Sequence, residues 1–238
     1  MKILTALTLT LAATTTATAD IAPMSVDFTA EEGFSDGPAN RQNGLRAQPG
    51  VEISTADGGQ VTSSTKGYLR FLAFDQEGID LDAIPEGESL TLVVRGITVD
   101  RELPAATEQF MAFGLTFESK LNPDVEIGGQ LLFDAEGKVW IDDQKWPVGG
   151  SPTDTGLTCD QPFDVVTVVT RTGPKAFTAD TTVNGVTART ANVTDAASME
   201  ARVLVQTQGK TEGTWSVDAV DVNPATLPGA AGGDGEPE

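Results

Sequence analysis

The sequence predicts an all-β chain folded as two stacked antiparallel sheets. Its ordered stretches alternate apolar and polar residues with a period of two, and clusters of Gly, Asn and Asp separate them every 10 to 15 residues or so. Almost nowhere do apolar residues recur at helical spacing. Strands that follow one another this way, with hardly any helix to cover them, must bury their apolar faces against a second sheet.

The first nineteen residues read as a signal peptide rather than as part of the fold. Lys2 supplies the positive end, Ile3 to Ala13 is an apolar run, and Ala17-Thr18-Ala19 before Asp20 has the small residues of a cleavage site. The expected product is a secreted chain, located outside the cell, on its surface or in the periplasm. The apolar run falls short of the roughly 20 residues a membrane span requires, and no later stretch is long and apolar enough. Membrane insertion is therefore not expected.

From residue 20 to residue 223 the pattern is that of one β-sandwich domain. Met24 to Phe28 is the first strand, and Glu31 to Gly44 is a turn-rich loop. Val51–Ser54 and Gln60–Ser63 flank Ala-Asp-Gly-Gly as a hairpin, and Gly67–Phe74 is apolar enough to be buried on both faces. Asp75 to Glu88 is an acidic loop between that strand and Ser89–Val99; Gln109–Phe117 follows as another strand. The meander at Gln130 to Trp146 orients the rest. Leu131 and Phe133 point one way, Val139 and Ile141 match them, and Asp-Ala-Glu-Gly between them supplies a tight turn closed by glycine. A second reversal at Asp142-Asp143-Gln144 is expected to return the chain through Trp146.

Gly149 to Thr158 reads as a loop, Phe163–Arg171 as a β-branched strand, and Asn184-Gly185 as a hairpin turn. Thr194 to Met199 has the length of one helical turn, and Ala201–Thr207 and Thr214–Val222 complete the strands. Residues 224–238, rich in Gly, Pro and acids, have nothing to bury and are expected to be a disordered tail. The sequence does not fix an oligomeric state.

Charge and missing residue types prune the functions. With 35 Asp and Glu against 15 Lys and Arg, the net charge of −20 makes nucleic acid and anionic lipid poor partners. The chain has no His, which removes the usual general base, the Ser-His-Asp arrangement and the commonest zinc ligand. Its one Cys, Cys159, cannot form an intrachain disulfide and reads as a buried thiol.

Val26-Asp27-Phe28, then Glu32-Gly-Phe-Ser-Asp-Gly37, then Gln42-Asn-Gly44, resembles the opening of concanavalin A-like (laminin-G-like) lectin and glucanase jelly-roll domains in secreted bacterial proteins. Leu132-Phe133 with Gly137-Lys138-Val139-Trp140-Ile141 resembles their central hairpin, and Trp215 to Val220 their closing strand. Arg41 and Leu45 depart from that pattern, standing where glycine and an aromatic are usual. The resemblance implies a two-sheet jelly roll. It leaves function open among lectins, glycan-binding modules, hydrolases, lyases and adhesive surface domains.

A glycosidase needs paired carboxylates on one strand face. The Glu-x-Asp-x-x-Glu run that would supply them is missing, and Asp80/Asp82 and Glu86/Glu88 lie among turn residues. A lyase would lack His and have only Tyr68 as a tyrosine base. Glycan binding needs an aromatic face and hydroxyl partners. Trp140 and Trp146 flanking Asp142, Asp143 and Gln144 are the candidates, opposed across the ladder if the turn allows. A calcium site is the other expectation, built from Asp27, Glu31, Glu32 and Asp36 with Asp218 joining from the last strand. The favoured reading is a non-catalytic module that binds polysaccharide or cell-surface glycan, with structural Ca²⁺. The alternative is a structural surface or matrix protein, and polysaccharide hydrolase or lyase stands third.

Overall fold

A computed structural model describes residues 21–64, 69–74, 78–101, 110–117, 124–134, 136–142, 152–208 and 213–228. The expected signal peptide (1–19), residues 229–238 of the expected tail, and Asp143, Gln144 and Trp146 lie outside the described residues.

Among the described residues, eighteen strands form. The first nine are β1 (Met24–Val26), β2 (Gly37–Pro38), β3 (Leu45–Ala47), β4 (Val51–Ser54), β5 (Gln60–Ser64), β6 (Leu69–Phe74), β7 (Ile79–Asp80), β8 (Ser89–Arg101) and β9 (Phe110–Thr116). Then come β10 (Ile127–Phe133), β11 (Lys138–Asp142), β12 (Thr153–Thr158), β13 (Phe163–Gly173), β14 (Ala176–Val183), β15 (Val186–Val193), β16 (Glu200–Gln208), β17 (Gly213–Val217) and β18 (Ala219–Val222). They assemble into a ten-stranded sheet, β15-β14-β13-β8-β17-β5-β4-β2 with β18 and β1 beside β8, and an eight-stranded sheet, β12-β11-β10-β9-β16-β6-β3 with β7 beside β16. All the pairings are antiparallel. This is the predicted two-sheet antiparallel jelly-roll sandwich.

The inner faces meet in one core. Phe28, Phe113, Phe177 and Trp215 are fully buried in it, each contributing roughly 1.5–3 kcal/mol by leaving water. Cys159 is buried too, as expected. The sheets also come very close in one place. A Cβ on Gly129 of β10 would stand 1.9 Å from Thr181 Oγ1 of β14, so only glycine fits there. Around that contact the inner layer is polar: Thr167 and Thr181 share a hydrogen bond of 3.1 Å, and Thr190 Oγ1 donates to the Gly128 carbonyl at 2.8 Å.

Two expectations about local structure are corrected. Residues 153–158, read as part of a loop, form β12, with Thr155 Oγ1 donating to the Val139 carbonyl at 2.7 Å. The turn-forming composition of the stretch concealed a strand held by its neighbour rather than by its own apolar alternation. Residues 194–199 make no helical turn; Thr194 Oγ1 instead accepts the Ala196 amide, an alternative to helix that threonine offers its own backbone.

Candidate functional site

The eight-stranded sheet has an outer face that the sequence alternation defines. In β10 and β11, Leu131, Phe133, Val139 and Ile141 enter the core, which sends Gln130, Leu132, Trp140 and Asp142 outward. Register extends this face across the sheet. Gln206 of β16, Ala112 of β9, Gln130 of β10 and Asp142 of β11 stand in one cross-strand line. Leu132, Trp140 and Asp154 of β12 stand in the next. Ala73, Ala112, Val125 and Leu204 form a small apolar cluster on the same face, with Leu132 against it.

Several of these outward residues are nonetheless buried: Gln130 is 2% exposed, Gln206 4% and Asp142 0%. Part of the cover is the segment that precedes β10. The Val125 amide donates to Gln206 Oε1 at 3.3 Å, and Gln206 Nε2 donates to Asp124 Oδ1 at 3.2 Å. The face is therefore a recessed row of amides and a carboxylate, with a half-buried indole beside it.

Trp140 is held by the hairpin turn itself. Asp134 Oδ1 accepts the amides of Glu136 and Lys138, each at 2.9 Å, and its Oδ2 accepts the Trp140 Nε1–H at 2.9 Å. Gly137, at φ +84°, closes the turn as the sequence predicts. Burial alone would raise the Asp134 carboxyl, but the indole bond, the two amides and the charge of Lys138 together hold it below its ordinary value. One carboxylate thus fixes both the turn and the plane of the indole.

The sequence-derived residues fare unevenly. Trp140 and Asp142 do share one face. The cross-strand neighbours of Trp140 are Leu132 and Asp154, while Trp146, Asp143 and Gln144 lie outside the described residues. Trp215 is 2% exposed and belongs to the core, as its alternating neighbours imply. Asp134, Gln130, Gln206 and Asp154 were not singled out from the sequence. Asp134 was visible as the first residue of the turn, and Gln130 as the period-two partner of Leu132. Gln206 and Asp154 are brought in by strand order, which local pattern does not encode.

The acids proposed for calcium are spread over several roles, and all five are exposed. Glu32 Oε2 accepts the Asp27 amide at 2.9 Å, and Asp36 Oδ1 accepts the Thr55 amide at 2.7 Å and its hydroxyl at 2.9 Å. Those two bonds, the amide first, lower the Asp36 carboxyl. Asp218 Oδ1 accepts Gln60 Nε2 at 2.8 Å. Gln60 follows Gly59, where an added Cβ would stand 2.1 Å from the Asp27 carbonyl. Among the described residues, no group of three or more Asp, Glu or Cys side chains is placed to hold a metal ion.

No protein-family model matches the chain, and no curated protein matches it. Solved structures do. An endo-1,3-β-glucanase from Streptomyces sioyaensis superposes with a TM-score of 0.54 at 14% identity, covering 84% of this chain and 94% of that one. Lectin II from Ulex europaeus superposes with a TM-score of 0.51 at 12% identity, covering 86% of this chain and 98% of that one. The fold is the concanavalin A-like lectin and glucanase jelly roll. Among the described residues no helix is long and apolar enough to cross a membrane.

Proposed function

We propose that this chain is an exported, non-catalytic glycan-binding module that engages sugar on the outer face of its eight-stranded sheet, at Trp140. One observation carries the reading. The indole is fixed by Asp134 at the rim of a recessed line of Gln206, Gln130 and Asp142, with Leu132 and Asp154 as its cross-strand neighbours. A rigid aromatic face stacks on sugar C–H surfaces with little ordering cost, and the exposed carboxylate of Asp154 beside it is placed to accept from hydroxyls. Two proteins of the same fold, one named as a lectin and one as an endo-1,3-β-glucanase, give carbohydrate as the ligand class. The absence of His from the chain and of a Glu-x-Asp-x-x-Glu strand supports binding over hydrolysis.

The test is a glycan array that includes β-1,3-glucans, probed with the wild-type chain and with Trp140→Ala, each with and without EDTA. Binding that Trp140→Ala weakens by about tenfold or more supports the site. Silence of a folded wild-type chain across the array removes the reading in favour of a structural surface role. Release of reducing ends from a soluble β-1,3-glucan removes the non-catalytic part. Structural calcium belongs to the same proposal: loss of binding or of thermal stability in EDTA supports it, and indifference to EDTA discards it.

A further inference from the structure

The described strands that end the two sheets differ in how they are guarded. β2 has two residues and β3 three, and β12 breaks register against β11 between Lys138 and Trp140. Edges so short or irregular make poor templates for another strand. β15 is different: it has eight residues, pairs with β14 along its whole length without a shift, and among the described residues has a strand on one side only. Its single charged side chain, Arg189, is tied to Asp180 through both carboxylate oxygens.

The turn fixes which backbone groups face outward. Asn184 and Gly185 have φ of 48° and 76°, a two-residue turn of the type that closes on a hydrogen-bonded pair, here Val183 and Val186. Alternation makes Thr181/Ala188, Ala179/Thr190 and Phe177/Asn192 pairs of the same kind. The Thr194 amide donating to the Lys175 carbonyl at 3.1 Å continues the series. Thr187, Arg189, Ala191 and Val193 therefore direct their N–H and C=O groups away from β14. All four are exposed, and Val193, at 84%, is the most exposed large hydrophobic residue among those described.

Charge indicates the partner. Residues 165–194 carry Arg171, Lys175 and Arg189 against Asp180 alone, in a chain with 35 acids and 15 bases. Each of these cations is engaged internally. Arg171 donates to the carbonyls of Leu81, Asp82 and Ile84 and to the Asp82 carboxylate, Lys175 donates to the Ala196 carbonyl, and Arg189 is held by Asp180. The region offers neither the acidic excess of the rest of the chain nor a free cation for a polyanion. Two copies of net charge −20 can approach one another there with least repulsion.

We infer that the β15 edge pairs antiparallel with β15 of a second copy of this chain, about a two-fold axis at Thr190, joining two ten-stranded sheets into one. One register engages all four outward-facing residues. It sets Thr187 opposite Val193 of the partner subunit and Arg189 opposite Ala191 of the partner subunit, with roughly eight hydrogen bonds between the chains. A shift of one pair would place Arg189 opposite Arg189 of the partner subunit and lose part of the ladder.

Light scattering and sedimentation velocity on the full chain, over a range of concentration and salt, test this. The wild type should dimerise, and more tightly as salt rises, because screening removes repulsion between acidic copies. Ala191→Lys sets a lysine against Arg189 of the partner subunit and should give a monomer with unchanged circular dichroism. Under oxidising conditions Thr187→Cys with Val193→Cys in one chain should give a disulfide-linked dimer, and either change alone should not. A wild type that stays monomeric at high salt overturns the inference. So does a dimer indifferent to Ala191→Lys, or cross-linking by the single-cysteine variants to the level of the double.

Discussion

Replacing Asp134 by Asn separates the two tasks of that side chain. The asparagine Oδ1 can still accept the Glu136 and Lys138 amides, so the turn survives. Its Nδ2 then meets the Trp140 Nε1–H, donor against donor. One hydrogen bond to a half-exposed carboxylate is lost, a cost of about 1–2 kcal/mol. For a domain of this size that lowers Tm by roughly 3–6 °C. Because the wild-type carboxyl is held below its ordinary value, its contribution is complete above that value and disappears as pH falls through the lowered one. The wild-type indole should therefore loosen only under acid, below about pH 4, whereas Asp134→Asn should have a loosened indole at neutral pH. The assay is the Trp140 indole N–H resonance followed from pH 7 downward, assigned by its loss in Trp140→Phe. An Asp134→Asn spectrum that matches the wild type at pH 7, with an unchanged melting point, would refute the idea that this carboxylate orients the indole.

Other sites give sharper structural readouts. Gly129→Ala drives a methyl into Thr181 and should destabilise by about 1–3 kcal/mol in urea melts, with partial recovery when Thr181→Gly is added. Asp221, 4% exposed, accepts Ser25 Oγ at 2.6 Å and Arg95 Nε at 2.5 Å. Asp221→Ala should cost about 2–3 kcal/mol, less than a fully buried pair because Arg95 stays in contact with water. Thr55→Ala removes the hydroxyl that helps lower the Asp36 carboxyl, so that group should titrate nearer its ordinary value in carboxyl carbon NMR while remaining below it.

Much of the fold is local in origin, which is why it can be read from residues. Alternation in Phe163–Arg171, the Asn184-Gly185 turn and the Asp134–Gly137 turn each specify their own geometry, and all three appear in the structure. β12 failed to show because its residues, Thr-Asp-Thr-Gly-Leu-Thr, carry little apolar alternation, and it is held by pairing with β11. β1 and β7, at three and two residues, exist only through their partners β18 and β16. Local pattern thus accounts for strands that could nearly stand alone, and strand order for the rest.

The candidate site depends on the second kind of information. Gln130 and Gln206 are 76 residues apart in sequence and reach one line only because β9 lies between β10 and β16. The sequence places Asp142 at a reversal, as a hydrogen-bond partner for a glycan, yet it is the last residue of β11 and has no exposure at all. A carboxylate on an outward face is ordinarily wet, so its burial means that this part of the sheet is roofed, and polar groups under a roof have to be satisfied within the chain. Trp140 stands at the rim of that roofed line, the one large aromatic surface of β10 and β11 that faces out of the core. On the proposed reading a sugar would therefore meet the indole and the exposed Asp154, not Gln130 or Asp142, which are closed to solvent, so Gln130→Ala should lower the melting temperature while leaving the weakening of glycan binding to Trp140→Ala.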